Sequence, residues 1–136
     1  MLIRAADWEP RLHAVLDAYA AKPFEWGVSD CCLFIADAVQ AMTGVDPAKP
    51  YRGRYSSETG ARLALRRYGA GTLLATFDGA FGASVAPAFA HRGDIVLINE
   101  LTAGVCMGPF GYFVGEAGLV QHPRADFTHA WAIPYE

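Results

Sequence analysis

The chain has 136 residues, a net charge of −3, and a composition of 53% hydrophobic and 18% charged side chains. That length suits one domain with its own core, and so apolar a composition excludes a disordered, low-complexity or coiled-coil protein. The negative balance argues against broad electrostatic attraction to nucleic acid, and the apolar excess favours burial of part of the exterior in an assembly.

In chain order, the first half reads as helical. Trp8, Leu12, Val15, Leu16 and Tyr19 recur at helical spacing, with Asp7 as the expected N-cap and Pro10 in the first turn. Pro23 closes that helix. A second helix is expected after Ser29 or Asp30, with Cys31, Ile35, Ala38, Val39 and Met42 as its apolar stripe and Gly44 as its stop. Ser56 and Ser57 suit the cap of a third helix whose inner face is Ala61, Ala64, Leu65 and Tyr68, ended by Gly69. The small-residue stretch 71–90 reads as loop with room for one short helix. Short apolar runs then follow at 94–98, 103–107, 112–114, 119–121 and 130–133, most of them separated by glycine or proline. Helices followed by strands imply an α+β domain, residues 1–136 as one unit, with an antiparallel meander at its C-terminal end.

The longest uncharged run, 101–115, is too short and too glycine-broken to cross a membrane. The N-terminal stretch MLIRAADWEP lacks the apolar centre of a secretory signal, so synthesis in the cytoplasm is expected. Three cysteines, two of them adjacent, make a poor disulfide framework; free thiols are expected. Adjacent cysteines also miss the spacing of a zinc site, so neither a metal nor another cofactor is expected from Cys31, Cys32, Cys106 and a histidine.

The densest chemistry lies at 22–33, K-P-F-E-W-G-V-S-D-C-C-L. A tight turn leads into Asp30 and then into a cysteine on the first turn of a helix, where free N–H groups and the helix dipole favour a thiolate nucleophile. Cys31 belongs to the buried stripe and should face the strands. Cys32 lies about 100° round the helix and is the poorer nucleophile. The bland alternative for both is an inert small core residue.

These residues resemble the NlpC-type cell-wall peptidases, which have a papain-like fold. Phe24-Glu25-Trp26-Gly27 is similar to the family's Tyr-x-Trp-Gly, and Asp30-Cys31-Cys32 to its Asp-Cys-Ser. Arg92-Gly93-Asp94-Ile95-Val96 resembles the strand led by Gly-Asp, and Ala103-Gly104-Val105-Cys106-Met107-Gly108 the His-Val-Gly-Ile strand. The order and gaps fit from Pro23 to about Val120. The resemblance implies a papain-like α+β fold, Cys31 as nucleophile, and a cleft lined by Phe24, Trp26, Asp30 and Thr102. It also implies a place among bacteriophage tail proteins, with other tail proteins, a further copy of the chain or bacterial peptidoglycan as partners, and the virion tail as the location.

The same resemblance exposes departures. The family's base histidine aligns with Thr102, its tyrosine with Phe24, and the polar residue that orients the base falls near Phe113 or Val114. A cysteine nucleophile needs a group to take its proton and return one to the leaving amine. Of the four histidines, His13 reads as surface and His122 as turn, leaving His129 and His91 as substitute bases. Arg52, Arg54, Arg62, Arg66 and Arg67 concentrate positive charge, which reads as a solvated helix face or a docking surface for an acidic partner. The expectation is a tail-tip structural or accessory protein with a degenerate peptidase site. The alternative is a peptidoglycan hydrolase using Cys31 and a relocated histidine.

Overall fold

The computed structural model describes residues 2–135. Helices α1 (Trp8–Tyr19), α2 (Cys31–Thr43), α3 (Glu58–Tyr68) and α4 (Leu73–Phe81) come first. Strands β1 (Ile95–Ile98), β2 (Thr102–Cys106), β3 (Phe110–Gly115), β4 (Gly118–Pro123) and β5 (His129–Trp131) come after them, with short 3-10 turns at Pro87–Phe89 and Arg124–Asp126. All strands pair antiparallel in the order β4-β3-β2-β1-β5, so the last strand returns beside the first. The domain is α+β, with helices before strands as the sequence indicates. Among the described residues, no helix is long and apolar enough to cross a membrane.

α2 is the central helix because its sequence is apolar on more than one side. Phe34, Ile35, Val39 and Met42 are buried against α1 and against Ile95, Leu97, Ala103 and Val105 of the sheet. Leu33 and Ala36 turn the other way and pack with Ala48, Tyr51 and Ala64, which attaches α3 and the preceding loop to the back of α2. Full burial of each large side chain is worth about 1.5–3 kcal/mol, so α2 is the element the domain can least lose. Gly44 ends it in the left-handed conformation, its N–H donating to the Gln40 carbonyl.

The sheet is covered on both faces. Odd-numbered residues of β1 and β2 meet the helices, whereas Val96 and Cys106 join Phe113, Phe127, Ala90 and Ala130 on the far face. Gly104 permits this second layer. It pairs with Phe113 across the ladder, and a Cβ there would stand 2.5 Å from the Phe113 ring.

Several boundaries differ from expectation. Asp7 occupies the N-cap position of α1 but makes no capping bond; its carboxylate pairs with Arg11 at 2.9 Å instead. The ambiguous stretch 71–90 contains a nine-residue helix, α4, capped by the Thr72 hydroxyl oxygen, which accepts from the Ala75 N–H at 3.1 Å. β5 is His129–Trp131 and not 130–133, because the Ile133 N–H leaves the ladder for the Asp94 carboxylate.

Candidate functional site

The turn before α2 is built from backbone bonds. The N–H groups of Val28 and Ser29 donate to the Glu25 carbonyl at 3.1 and 2.9 Å, and the Ser29 hydroxyl donates to the Pro23 carbonyl at 2.6 Å. Gly27 sits at φ +80°, and a Cβ there would lie 2.2 Å from the Tyr55 carbonyl oxygen, so only glycine lets the two segments approach. Phe24 and Trp26 pack edge to face at 4.9 Å between centroids.

Asp30 ties that turn to the head of α2. One carboxylate oxygen accepts from the Leu33 N–H at 2.9 Å and caps the helix. The other accepts from the Gly27 N–H at 2.9 Å and from the Tyr55 hydroxyl at 2.6 Å. Asp30 is 1% exposed, so these three donors replace its hydration. Burial, with the hydrogen bond to Asp30, holds the Tyr55 hydroxyl firmly protonated.

Cys31 therefore begins α2 as its first residue, directly against the start of β2. Its thiol donates weakly to the Leu101 carbonyl at 3.9 Å. Burial pushes the Cys31 pKa above its ordinary value; the N–H groups of Ala103, Cys32 and Cys31 pull it down without reversing the shift, and Asp30 adds to the rise. The helix terminus thus fails to produce a thiolate here, because removal from water outweighs the backbone dipoles. Cys32 is raised further, by burial first and then by its neighbours Cys31 and Asp30, and its sulfur rests 4.0 Å from the Tyr51 hydroxyl.

Both sulfurs line one cleft of about 530 Å³. Asp30 and Tyr51 share its floor; Trp26, Tyr55, Leu65 and Leu74 form walls; Glu58, Arg62, Glu100 and Leu101 stand at the rim. Trp26 and Asp30 line the cleft as expected, and Cys32 does so as well, in spite of its different angle on the helix. Phe24 and Thr102 are not lining residues. Strand alternation explains Thr102: it shares a face with Gly104 and Cys106, away from α2, and the residue facing Cys31 at that level is Ala103. Phe113 is likewise buried on the far face.

No histidine lines this cleft among the described residues. His91 precedes β1, at the end of that strand opposite Leu101; its N–H donates to Asp94 and its ring is 79% exposed. His129 pairs with Leu97, which pairs with Ala103, so it lies two strands, about 10 Å, from the Cys31 wall. Its ring stacks on Trp131 and its Nδ1 contacts the Thr128 hydroxyl at 3.0 Å. His122 approaches Asp126 at 3.7 Å and packs on Phe113, and His13 is exposed on α1. Cys106 belongs to the far-face cluster, and no group of three metal-ligating side chains occurs among the described residues.

Sequence reasoning did not reach Tyr51, Tyr55, Glu100, Leu101 or the α4 wall. One local signal existed for the rim, Asn99: it opens the three-residue turn 99–101 in which Asn99 and Glu100 adopt positive φ, 48° and 64°, and Asn is among the residues that tolerate that region. The Asp30–Tyr55 bond spans 25 residues and carries no local signature.

The fold and site define an α+β domain that presents a neutral cysteine pair in a largely apolar cleft. The chain belongs to the family described as Domain of unknown function (DUF6950), whose model matches residues 3–133. No curated protein and no solved structure matches the chain.

Proposed function

We propose that this protein is an NlpC-like, papain-like domain whose peptidase site is degenerate, and that it serves by binding, as a structural or accessory component of a phage tail tip. The observation that carries this reading is the cleft itself: Cys31 is in place at the head of α2, yet the cleft wall offers it leucines and tyrosines and no imidazole. A thiol held neutral by burial has no partner to take its proton or to protonate a leaving amine. The strand order, with the cysteine helix packed on β2, also suits a papain-like scaffold. The tail location rests on the sequence resemblance to NlpC-type proteins.

One observation favours the hydrolase alternative. His129 lies on the helix-covered face of the sheet, in the same cross-strand row as Ala103, with Leu97 between. It would act as a base only by displacing that leucine and leaving its stack on Trp131. Incubation of muropeptides with the protein and with Cys31→Ala separates the readings. We expect no products from either; products from the parent that vanish in the variant would establish a peptidoglycan hydrolase.

A further inference from the structure

Cys32 has no part in the peptidase reading, yet it lines the same cleft as Cys31. The two thiols stand on consecutive residues, the first two of α2, directly after the Asp30 cap. Neither is spent on a strong bond among the described residues: Cys31 meets the Leu101 carbonyl at 3.9 Å, and Cys32 the Tyr51 hydroxyl at 4.0 Å. Both are free thiols. The third cysteine, Cys106, is fully buried on the other face of the sheet.

The spacing limits what the pair can form. Consecutive Cα atoms lie about 3.8 Å apart, short of the roughly 4.4–6.8 Å that a disulfide spans, so direct S–S closure within the helix is strained. An atom inserted between the sulfurs lengthens the bridge and relieves that mismatch. At the first two helical positions no earlier turn crowds the side chains, so both χ1 angles are free to bring the sulfurs onto a shared atom.

Charge narrows the choice of bridging atom. Burial favours the neutral form of both thiols, and Asp30 opposes a negative charge on either. A divalent cation needs both sulfurs ionised and further ligands besides. Among the described residues, no third histidine, cysteine or carboxylate joins this pair in a metal-binding group. A trivalent arsenic centre makes neither demand. In an organic arsonous acid, arsenic carries two hydroxyls and one carbon substituent. Each S–H gives its proton to one hydroxyl, which leaves as water while an As–S bond forms. One acid and two thiols thus give a dithioarsonite and two waters, with no change of oxidation state and no charge added to the cleft. The carbon substituent then lies among Trp26, Leu65 and Leu74, in a cleft of about 530 Å³ with room for a phenyl ring.

We infer that the cleft is a dithiol site, in which the Cys31 and Cys32 sulfurs together bridge a neutral, trivalent thiophile with one apolar arm, the chemistry of an organic arsenical. This rests on reading the cleft as a binding site. It is judged by capture of the arsenical, whereas that reading is judged by muropeptide turnover, so each fails separately.

The test uses the full, reduced chain and phenylarsine oxide, whose hydrate is such an acid, in about 1 mM glutathione, which competes against capture by single thiols. Intact mass should show one phenylarsenic group per chain in place of two hydrogens, removed by an excess of a small dithiol. Cys31→Ser and Cys32→Ser, both checked for folding by circular dichroism, should each lower retention about a hundredfold or more, the advantage that a tethered second bond supplies. Capture by the folded parent should raise its melting temperature by about 5 °C, the shift that a roughly tenfold preference over the unfolded chain gives at this size. That measurement stands whatever the variants do. Retention should be equal at about pH 6 and pH 8, because no proton is released to solvent. The proposal is overturned if the parent retains nothing, if either serine variant retains the group like the parent, or if the melting temperature is unchanged or lowered. A steep loss of retention at the lower pH, the mark of ionised sulfurs, would overturn it as well.

Discussion

The two ends of β1 are built to opposite specifications. At its start, Arg4 is inserted between Trp8 and Tyr135 and donates to the carbonyls of Ile133 and Arg92 and to the Asp94 carboxylate, with 1% and 2% of the two charged side chains exposed. Asp94 in turn accepts from the backbone of His91 and Ile133. At the other end, past Ile98, the chain makes a three-residue turn with Asn99 and Glu100 both at positive φ, and the space beneath it is a cleft with two thiols. One end joins the N-terminal segment, the sheet and the C-terminal segment through saturated charges; the other is left open. The difference shows that the cleft is not a packing defect of a loose domain, since every buried side-chain nitrogen and oxygen among the described residues has a partner.

The comparison is broken most sharply by removing one member of the saturated end. Arg4→Ala leaves Asp94 buried without its guanidinium, and we expect a loss of about 3–5 kcal/mol, measured by urea denaturation. A loss under about 1 kcal/mol, the range of an exposed pair, would show that the two ends differ less than their hydrogen bonds suggest. Next in size is Asp30→Ala, which uncaps α2 and releases both Gly27 and Tyr55. A loss of about 2–3 kcal/mol is expected, together with exposure of Tyr55 to solvent by ultraviolet difference spectroscopy.

The open end should respond weakly. Cys31→Ala is expected to change stability by less than about 1 kcal/mol, because the thiol makes only one long hydrogen bond and the truncation removes one atom from the wall of an existing cleft. Its chemistry should still report the burial. The folded thiols of Cys31 and Cys32 ionise above the ordinary value of 9.0, and the unfolded thiols at that value. Their contribution to stability is therefore complete below about pH 9 and is lost as pH rises through the folded values. Alkylation of Cys31 by iodoacetamide should accordingly run slower than that of a free cysteine peptide at about pH 8, where the unperturbed thiol is partly ionised. A faster reaction would mean that the helix terminus wins over burial. The smallest effect is expected at the rim: Arg62→Ala breaks only an exposed pair with Glu58, and its cost should stay within about 0.5 kcal/mol by thermal melting.

Legibility from sequence followed the range of the interactions. The helix over 31–43 was readable because its stripe, its Asp30 cap and its Gly44 stop are all local. The Asp7 cap failed since Arg11, one turn later, competes for the same carboxylate. α4 was ambiguous because what anchors its apolar face is a tertiary partner: Phe77 packs on Trp131, and Asp78 accepts from the indole N–H at 3.0 Å, 53 residues away. At the site, Cys31, Trp26 and Asp30 were legible as a contiguous motif, while Tyr51, Tyr55 and Glu100 reach the cleft only through folding.

Sequence by itself determined the α+β order and the helix that carries the cysteine, and narrowed its cap to Ser29 or Asp30, since these depend on periodicity and on bonds within a few residues. Only the tertiary structure decided which face of β2 meets that helix, where the histidines stand and whether the thiol ionises. Strand register, the return of β5 beside β1 and removal from water are properties of segments brought together across the chain, and no local pattern encodes them.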